Sequence, residues 1–393
     1  MLKQLLFVLI IIAVTISLIG LTAAQDGGKK DLASRLVNQC AHIGEGDHVW
    51  IYGSVRDMDL MEEIAIATRK AGAFPVIQVG SEQMNWRMFN ERPAEYDSQE
   101  RTFALKLAEI IDVQINVDVG ENLNLFADAD PKRLAASSKA FQPVNDIIAK
   151  RNTRGIFIGN AMYPTENLAK RWGVSLDQLS DMFWKGVSAD YKTLEATGQK
   201  LKDKLSGSKT MHLTHTNGTD LKMQIENRPV FVSDGIISEE DIKSGYSACQ
   251  AYLPAGELMV APVAGTVQGK VIIDRMFYAG KEINGLTMSF EKGKLVSMTS
   301  KSDISRLKAD YDAAGSGKEK FALIDIGINP DVHIIPDSKM TSWIPAGMVT
   351  VGIGNNTWAG GENTVNYGLF GHLEGSTVSI DGNDLVKNGQ LKI

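Results

Sequence analysis

The chain predicts an α/β amino-terminal domain with a largely parallel sheet, followed by a β-rich α+β carboxy-terminal domain. Three observations lead there. Helical and strand periodicities alternate from Asp31 to about Asp203. Composition shifts after "GQKLKDKLSGSK". Beyond that point, short strand-like runs follow one another with one evident helix. A length of 393 residues is too great for one ordinary core and fits two domains. The expected divisions are residues 1–24 as a secretory signal, 31–206 as the α/β domain and 207–393 as the β-rich domain.

The leader "MLKQLLFVLIIIAVTISLIGLTAAQDGGKK" sets Lys3 before an apolar run from Leu5 to Ala24 that closes in small residues. This is the pattern of a secretory signal, cleaved near Ala24, and it implies a secreted or periplasmic protein. The run exceeds the usual core of about 7–15 residues, so an uncleaved membrane anchor is the competing reading. A membrane enters only in that case, since no later run is apolar enough to span a bilayer.

Removing residues 1–24 takes away one base, Lys3, and no acid, so 40 Lys and Arg against 47 Asp and Glu leave a charge of −7. With no basic stripe, that balance argues against nucleic acid as a partner. Cys40 and Cys249 alone exclude a disulfide scaffold and a thiolate zinc site; one long-range bridge and two buried thiols both stay open.

In the first half, "DLASRLVNQCAHI" reads as a helix and "HVWIYGS" as a strand. "DMDLMEEIAIATRKAG" reads as a helix with Asp59 and Glu62 as a capping box, Leu60, Ile64 and Ala67 on its apolar face, and Gly72 as its stop. "FPVIQVG" follows as a buried strand, then "VQINVDV" and "GIFIGN" among helices at "SQERTFALKLAEII" and "DPKRLAASSKAFQPVNDIIAK". The first strand leads into "GSVRD" and not G-x-G-x-x-G, so a dinucleotide site has no local support.

The second half opens with "TMHLTHTNGTDLKMQI", alternating on both sides of Asn217-Gly218, a strong hairpin signal. Strands follow at "GELMVAP", "GKVIIDRMFY", "LTMSFEKGKLVSM", "FALIDIGIN", "MVTVGIG" and "STVSIDG", with a helix at "SDISRLKADYDAAG".

Metal and acid–base chemistry draw on imidazoles and carboxylates. Of the six histidines, His42 and His48 flank the first strand, His212 and His215 belong to the hairpin, and His333 follows the turn-like "INPD". His372 stands apart. If "GHLEGSTVSI" is one strand, residues two apart share a face, so His372 and Glu374 could converge on one cation. Spacing alone leaves a half-exposed strand with polar alternation as the plainer account.

Two acids have unusual surroundings. Glu257 follows a Pro-x-Gly turn and opens an apolar strand, a place where a scaffold sets a side chain at the mouth of a site. Asp325 interrupts the apolar "FALIDIGI", where an isolated buried carboxylate is too costly to leave unpaired.

Together, "LVNQCAHIGEGDHVWIYG", "ATRKAGAFPVIQV", "YPTENLAKRWGVSLDQLSDMFWKG", "HTNGTDLKMQI", "YLPAGELMVAPVAGTVQGKVIID" and the His-x-acid element resemble the aminopeptidase T and aminopeptidase S family of thermophilic metallo-aminopeptidases. The resemblance implies two divalent cations, zinc or cobalt, held by two glutamates, two histidines and an aspartate. On this chain the matching positions are Glu257, Asp325, His372 and Glu374. A second histidine, expected on a strand like "MVTVGIG", is replaced by Thr350. A set of three carboxylates and one imidazole favours one cation, or a weakened second site.

The implied function is a secreted aminopeptidase that takes small peptides and uses zinc, cobalt or manganese; the resemblance also implies a homodimer, since such relatives often dimerise. Glu257 or Asp325 would be its proton acceptor. The chain also resembles, more distantly, the ring-cleaving dihydroxypyridine dioxygenases, with a single iron(II). "GIGNNTWAGGENT" carries that likeness. A binding protein with a degenerate metal site is the third reading, and Thr350 supports it.

Overall fold

The computed structural model describes residues 28–120, 125–126 and 129–393. The predicted leader, residues 1–24, lies outside these. Among the described residues no helix is long and apolar enough to cross a membrane. The chain forms two units: residues up to Ile158 with Ile237–Gln250, and Gly159–Ile236 with Ala251–Ile393.

The first unit holds a parallel sheet of β1 (His48–Ser54), β2 (Phe74–Gly80), β3 (Val113–Val117) and β4 (Arg154–Ile158), in the order β2-β1-β3-β4. Register places Val49 beside Val113 and Val113 beside Arg154. Its helices are α1 (28–35), continued by a π turn at Leu36–Cys40, then α2 (Met58–Lys70), α3 (Glu82–Asn90), α4 (Thr102–Ile110) and α5 (Pro131–Lys150). Leu60, Met61 and Ile64 of α2 join Ile51, Ile115 and Ile156 in the core, the period expected of a helix laid on a sheet.

Two expectations change. Residues 74–80, expected to be buried, form the sheet edge, so Phe74 and Val76 stay 53% and 50% exposed. The capping box is absent: α2 begins at Met58, and Asp59 in its first turn pairs with Lys29 at 2.7 Å. Cys40 and Cys249 are both buried and unbridged.

The second unit contains α6 (Glu166–Trp172), α7 (Leu176–Val187), α8 (Tyr191–Ser206) and α10 (Ser305–Ala313), while the short α9 (Glu239–Ser244) lies in the first. The chain therefore divides before α6 and not at residue 207. Gly198 in the middle of α8 lies against Val232 and Ile328 of the second unit.

The strands of this unit follow Asn217-Gly218 as expected, with β5 (Thr210–Thr214) and β6 (Asp220–Gln224) paired as a hairpin. Then come β7 (Val230–Ser233), β8 (Gln250–Leu253, which starts in the first unit), β9 (Glu257–Val260), β10 (Gln268–Tyr278), β11 (Lys281–Glu291), β12 (Lys294–Thr299), β13 (Phe321–Gly327), β14 (Val349–Gly354), β15 (Gly368–Leu373), β16 (Thr377–Ile380), β17 (Asn383–Lys387) and β18 (Gln390–Leu391). Apart from β8, they build an eight-stranded antiparallel sheet, β12-β11-β10-β6-β5-β16-β17-β18, and a five-stranded one, β15-β14-β13-β9-β7. The back of β15 lies on β10, where Gly371 faces Ile273. Every residue of β13 and β14 is buried, so any charge on those strands faces a site or a penalty.

Candidate active site

Strand register sets one transverse row across all five strands of the smaller sheet. Phe231 lies opposite Met259, Met259 opposite Asp325, Asp325 opposite Thr350 and Thr350 opposite His372. Directly paired residues share a face. Residues two further along share it too, which brings in Ser233, Glu257 and Gly327 on one side of the row and Gly352 and Phe370 on the other. Glu257, Asp325 and His372 thus meet on one sheet face although they are far apart in sequence.

Glu374 does not join them. The expected single strand ends at Leu373; Glu374 and Gly375 form a turn, with Gly375 at φ +78°, and β16 continues in the other sheet. The apolar positions shift phase here, from Leu369 and Leu373 to Val378 and Ile380, across the polar run Glu374-Gly375-Ser376-Thr377. Glu374 is exposed, and its backbone carbonyl accepts from His215 Nε2 at 2.8 Å.

The Glu257 and Asp325 carboxyls hydrogen-bond to each other. Asp325 is 4% exposed, whereas Glu257 above it keeps some accessible surface. Burial raises both: Glu257 to about 7, against the opposing hydrogen bonds from Asp325 and Trp343, and Asp325 well above its ordinary value, helped by the neighbouring Glu257 charge. Two acids in hydrogen-bond contact share a proton. Asp325 Oδ1 has no hydrogen-bond partner.

Beside them Thr350, also 4% exposed, and His372 hydrogen-bond through Oγ1 and Nδ1 at 2.8 Å. Burial lowers His372 to about 4, so the imidazole is neutral at physiological pH.

Two residues that sequence reasoning passed over complete the arrangement. Trp343 hydrogen-bonds the Glu257 carboxyl, and its ring lies 5.7 Å from that of His372. It reaches them because the chain at residues 343–345 crosses directly over Gly327, where any Cβ would strike the carbonyl oxygens of Trp343, Ile344 and Pro345. Asn329 is fully buried, and its Nδ2 donates to Ala255 O at 2.6 Å and Gly186 O at 3.2 Å, fixing the turn before Glu257. The Asn-Pro pair at 329–330 marked only a turn.

The remaining histidines serve elsewhere. His48 pairs with Asp112 at 3.3 Å and His212 with Asp220 at 2.8 Å, His42 bonds the Ile237 carbonyl, and His333 is exposed.

The orphaned Asp325 oxygen and the adjoining Glu257 carboxyl fit a divalent cation bound through carboxylate oxygens, with a neutral imidazole on the same row. They stop short of a closed site. Among the described residues no three His, Cys, Asp or Glu side chains converge closely enough to hold a metal ion.

The profile of the thermophilic metalloprotease family M29 matches residues 28–314. That span includes Glu257 and ends before Asp325, Thr350 and His372. No curated protein sequence matches. The fold is similar to that of wild-type AmpT from Thermus thermophilus, with a TM-score of 0.70 at 14% identity, covering 93% of this chain and 99% of the other. It is also similar to 2,5-dihydroxypyridine dioxygenase from Pseudomonas putida KT2440, with a TM-score of 0.58 at 12% identity, covering 93% and 97%.

Proposed function

The chain belongs to the M29 family of thermophilic metalloproteases, and on that premise we propose that it is an exported metal-dependent peptidase releasing the amino-terminal residue of short peptides. The observation that carries this reading is the Glu257–Asp325 pair. The two carboxyls are packed together on a sheet face, and among the described residues neither forms an ion pair with Lys or Arg. Burying acids without a counter-charge lowers stability, and such sites are characteristic of chemistry more than of architecture.

Glu257 and Asp325 would hold the cation, with His372 on the same row as a further donor. Of zinc, cobalt and manganese, this oxygen-rich set favours manganese. A divalent cation there lowers the pKa of water and polarises a carbonyl. The chain supplies the rest. Glu257, the more accessible carboxyl, takes the proton of the attacking water and returns it to the departing amine. The Trp343 hydrogen bond keeps that carboxyl aimed. The local negative charge suits a substrate α-ammonium group.

The test is direct. The mature protein, supplied in turn with zinc, cobalt and manganese, is expected to release amino-terminal residues from short peptides, to lose this on chelation and to regain it with metal. No release with any of the three, and no metal retained after dialysis, would overturn the proposal.

That outcome would favour a non-catalytic binding protein, which the Thr350–His372 hydrogen bond supports, since it occupies the imidazole of the row. An iron oxygenase has less support, because the row offers one histidine where the facial triad takes two.

A further inference from the structure

We propose that the face of the parallel sheet turned away from α2 is a binding site for a neutral saccharide, with Trp50, Tyr52, Gln114, Asn116 and Gln250 as its floor. This site lies wholly in the first unit and does not depend on the peptidase reading.

Strand register defines the floor. Gly53 lies against Met61 of α2, and side chains alternate along a strand, so Trp50 and Tyr52 point to the opposite face. Pairing sets Val76, Trp50, Gln114 and Gly155 in one row across β2, β1, β3 and β4, and Gln78, Tyr52, Asn116 and Phe157 in the next. Neither row holds a charged side chain. The Trp50 and Tyr52 rings lie 6.0 Å apart. Two glycines let neighbouring side chains lie flat on the strands: the Tyr52 hydroxyl fills the space a Cβ of Gly80 would take, and the Gln250 amide fills that of Gly155.

The floor has hydrogen-bonding capacity to spare. Trp50 Nε1 and Gln250 Oε1 are buried without a partner. The Gln114 side chain, 8% exposed, also has none among the described residues. A donor, an acceptor and an amide left unpaired on one face lower stability until something pairs with them. With strands about 4.8 Å apart, the Trp50 and Gly155 backbones are separated by about 10 Å, the span of one or two sugar rings.

Helices do not seal this face. Right-handed crossovers place α4 and α5 over it, yet among the described residues α4 buries only Ala108 and α5 only Val144. Phe74 and Val76, at its β2 edge, are half exposed. Tyr52 and Asn116 stand side by side towards the carboxyl ends of β1 and β3, where the strand order reverses, and open α/β sheets take their ligands there.

Chemistry selects the occupant. A carboxylate, a phosphate or an ammonium ion would meet no counter-charge in these rows. A sugar ring brings hydroxyls that both donate and accept, which suits the amides and the indole N–H, and a C–H face that lies on the aromatic rings.

The experiment titrates the mature protein, without added metal, with D-glucose, D-galactose, N-acetyl-D-glucosamine and maltose, read by calorimetry and by tryptophan fluorescence. At least one is expected to bind with a dissociation constant below about 1 mM. Citrate, spermidine and adenine serve as an anion, a cation and a planar base, and are expected to bind more weakly than that sugar. Gln114→Leu removes the amide and keeps an apolar side chain, so the melting temperature of the free protein is expected to hold or rise while sugar affinity falls about tenfold or more. Trp50→Phe removes the indole N–H and should lower affinity by about the same factor and abolish the fluorescence change. Absence of binding by all four sugars, tighter binding of citrate, spermidine or adenine, or affinity unmoved in both folded variants would overturn the site.

Discussion

Asp97 and Asp325 are both nearly withdrawn from water, at 2% and 4% exposure, yet their surroundings drive them in opposite directions. In the first unit, Arg133 Nε and Arg92 Nη2 each lie 2.6 Å from an Asp97 oxygen, and the bond to Arg133 above all lowers its pKa to about 2. In the second, Asp325 has another acid for a neighbour, and burial with Glu257 beside it raises its pKa. The comparison separates a carboxylate that stabilises the fold from one the fold tolerates. Architecture brings the counter-charge with it, whereas a reaction centre leaves it to be supplied.

The sharpest way to break this comparison is Glu257→Gln. The amide keeps the shape and removes the proton acceptor, so peptide release is expected to fall about a hundredfold or more, the usual worth of a general base. The melting temperature is expected to hold or rise, since function at such sites trades against stability. A clear loss of stability would place Glu257 with Asp97, as architecture.

Asp97→Asn should do the opposite, lowering the melting temperature because it leaves Arg92 and Arg133 facing an uncharged partner. The pH dependence follows from sign. A folded pKa of about 2 lies below the ordinary 3.8, so the Asp97 contribution is present above about pH 4 and is lost as pH falls towards 2. The gap in melting temperature between parent and variant should therefore be constant near neutrality and close in acid. A gap that stays open at pH 2 would show that geometry, and not charge, sets it.

The smallest expected effect sharpens the site itself. Thr350→Val removes the hydroxyl bonded to His372 Nδ1 with little change of volume. If that bond orients a ligand, metal affinity measured by calorimetry should weaken about tenfold, as for other partners of ligating histidines. Unchanged affinity would mean that the bond merely ties His372 up, favouring the binding-protein reading.

Much of this was legible beforehand. The parallel sheet, the Asn217-Gly218 hairpin and the buried setting of Asp325 follow from period and composition, because each is a local property. Glu257 was placed correctly at a strand entrance, though nothing local said that its neighbour would be Asp325. Glu374 was misplaced because two short strands on either side of Gly375 read as one, although the apolar positions shift from odd to even across residues 374–377. Trp343 and Asn329 were invisible for a related reason: their importance comes from a chain crossing over Gly327 and a turn fixed at a distance, and neither leaves a periodic trace. The division before α6 was missed because amphipathic spacing gives a helix a buried face without naming what covers it.

The turn at Glu374–Gly375 has a further consequence. β15 bears His372 in the five-stranded sheet, and a few residues later β16 is hydrogen-bonded into the middle of the eight-stranded one. The segment is a hinge pin shared by both sheets, with too little slack for either to swing open alone. Partial unfolding that reaches the candidate centre must therefore loosen both together, and the centre takes on the cooperativity of the whole unit.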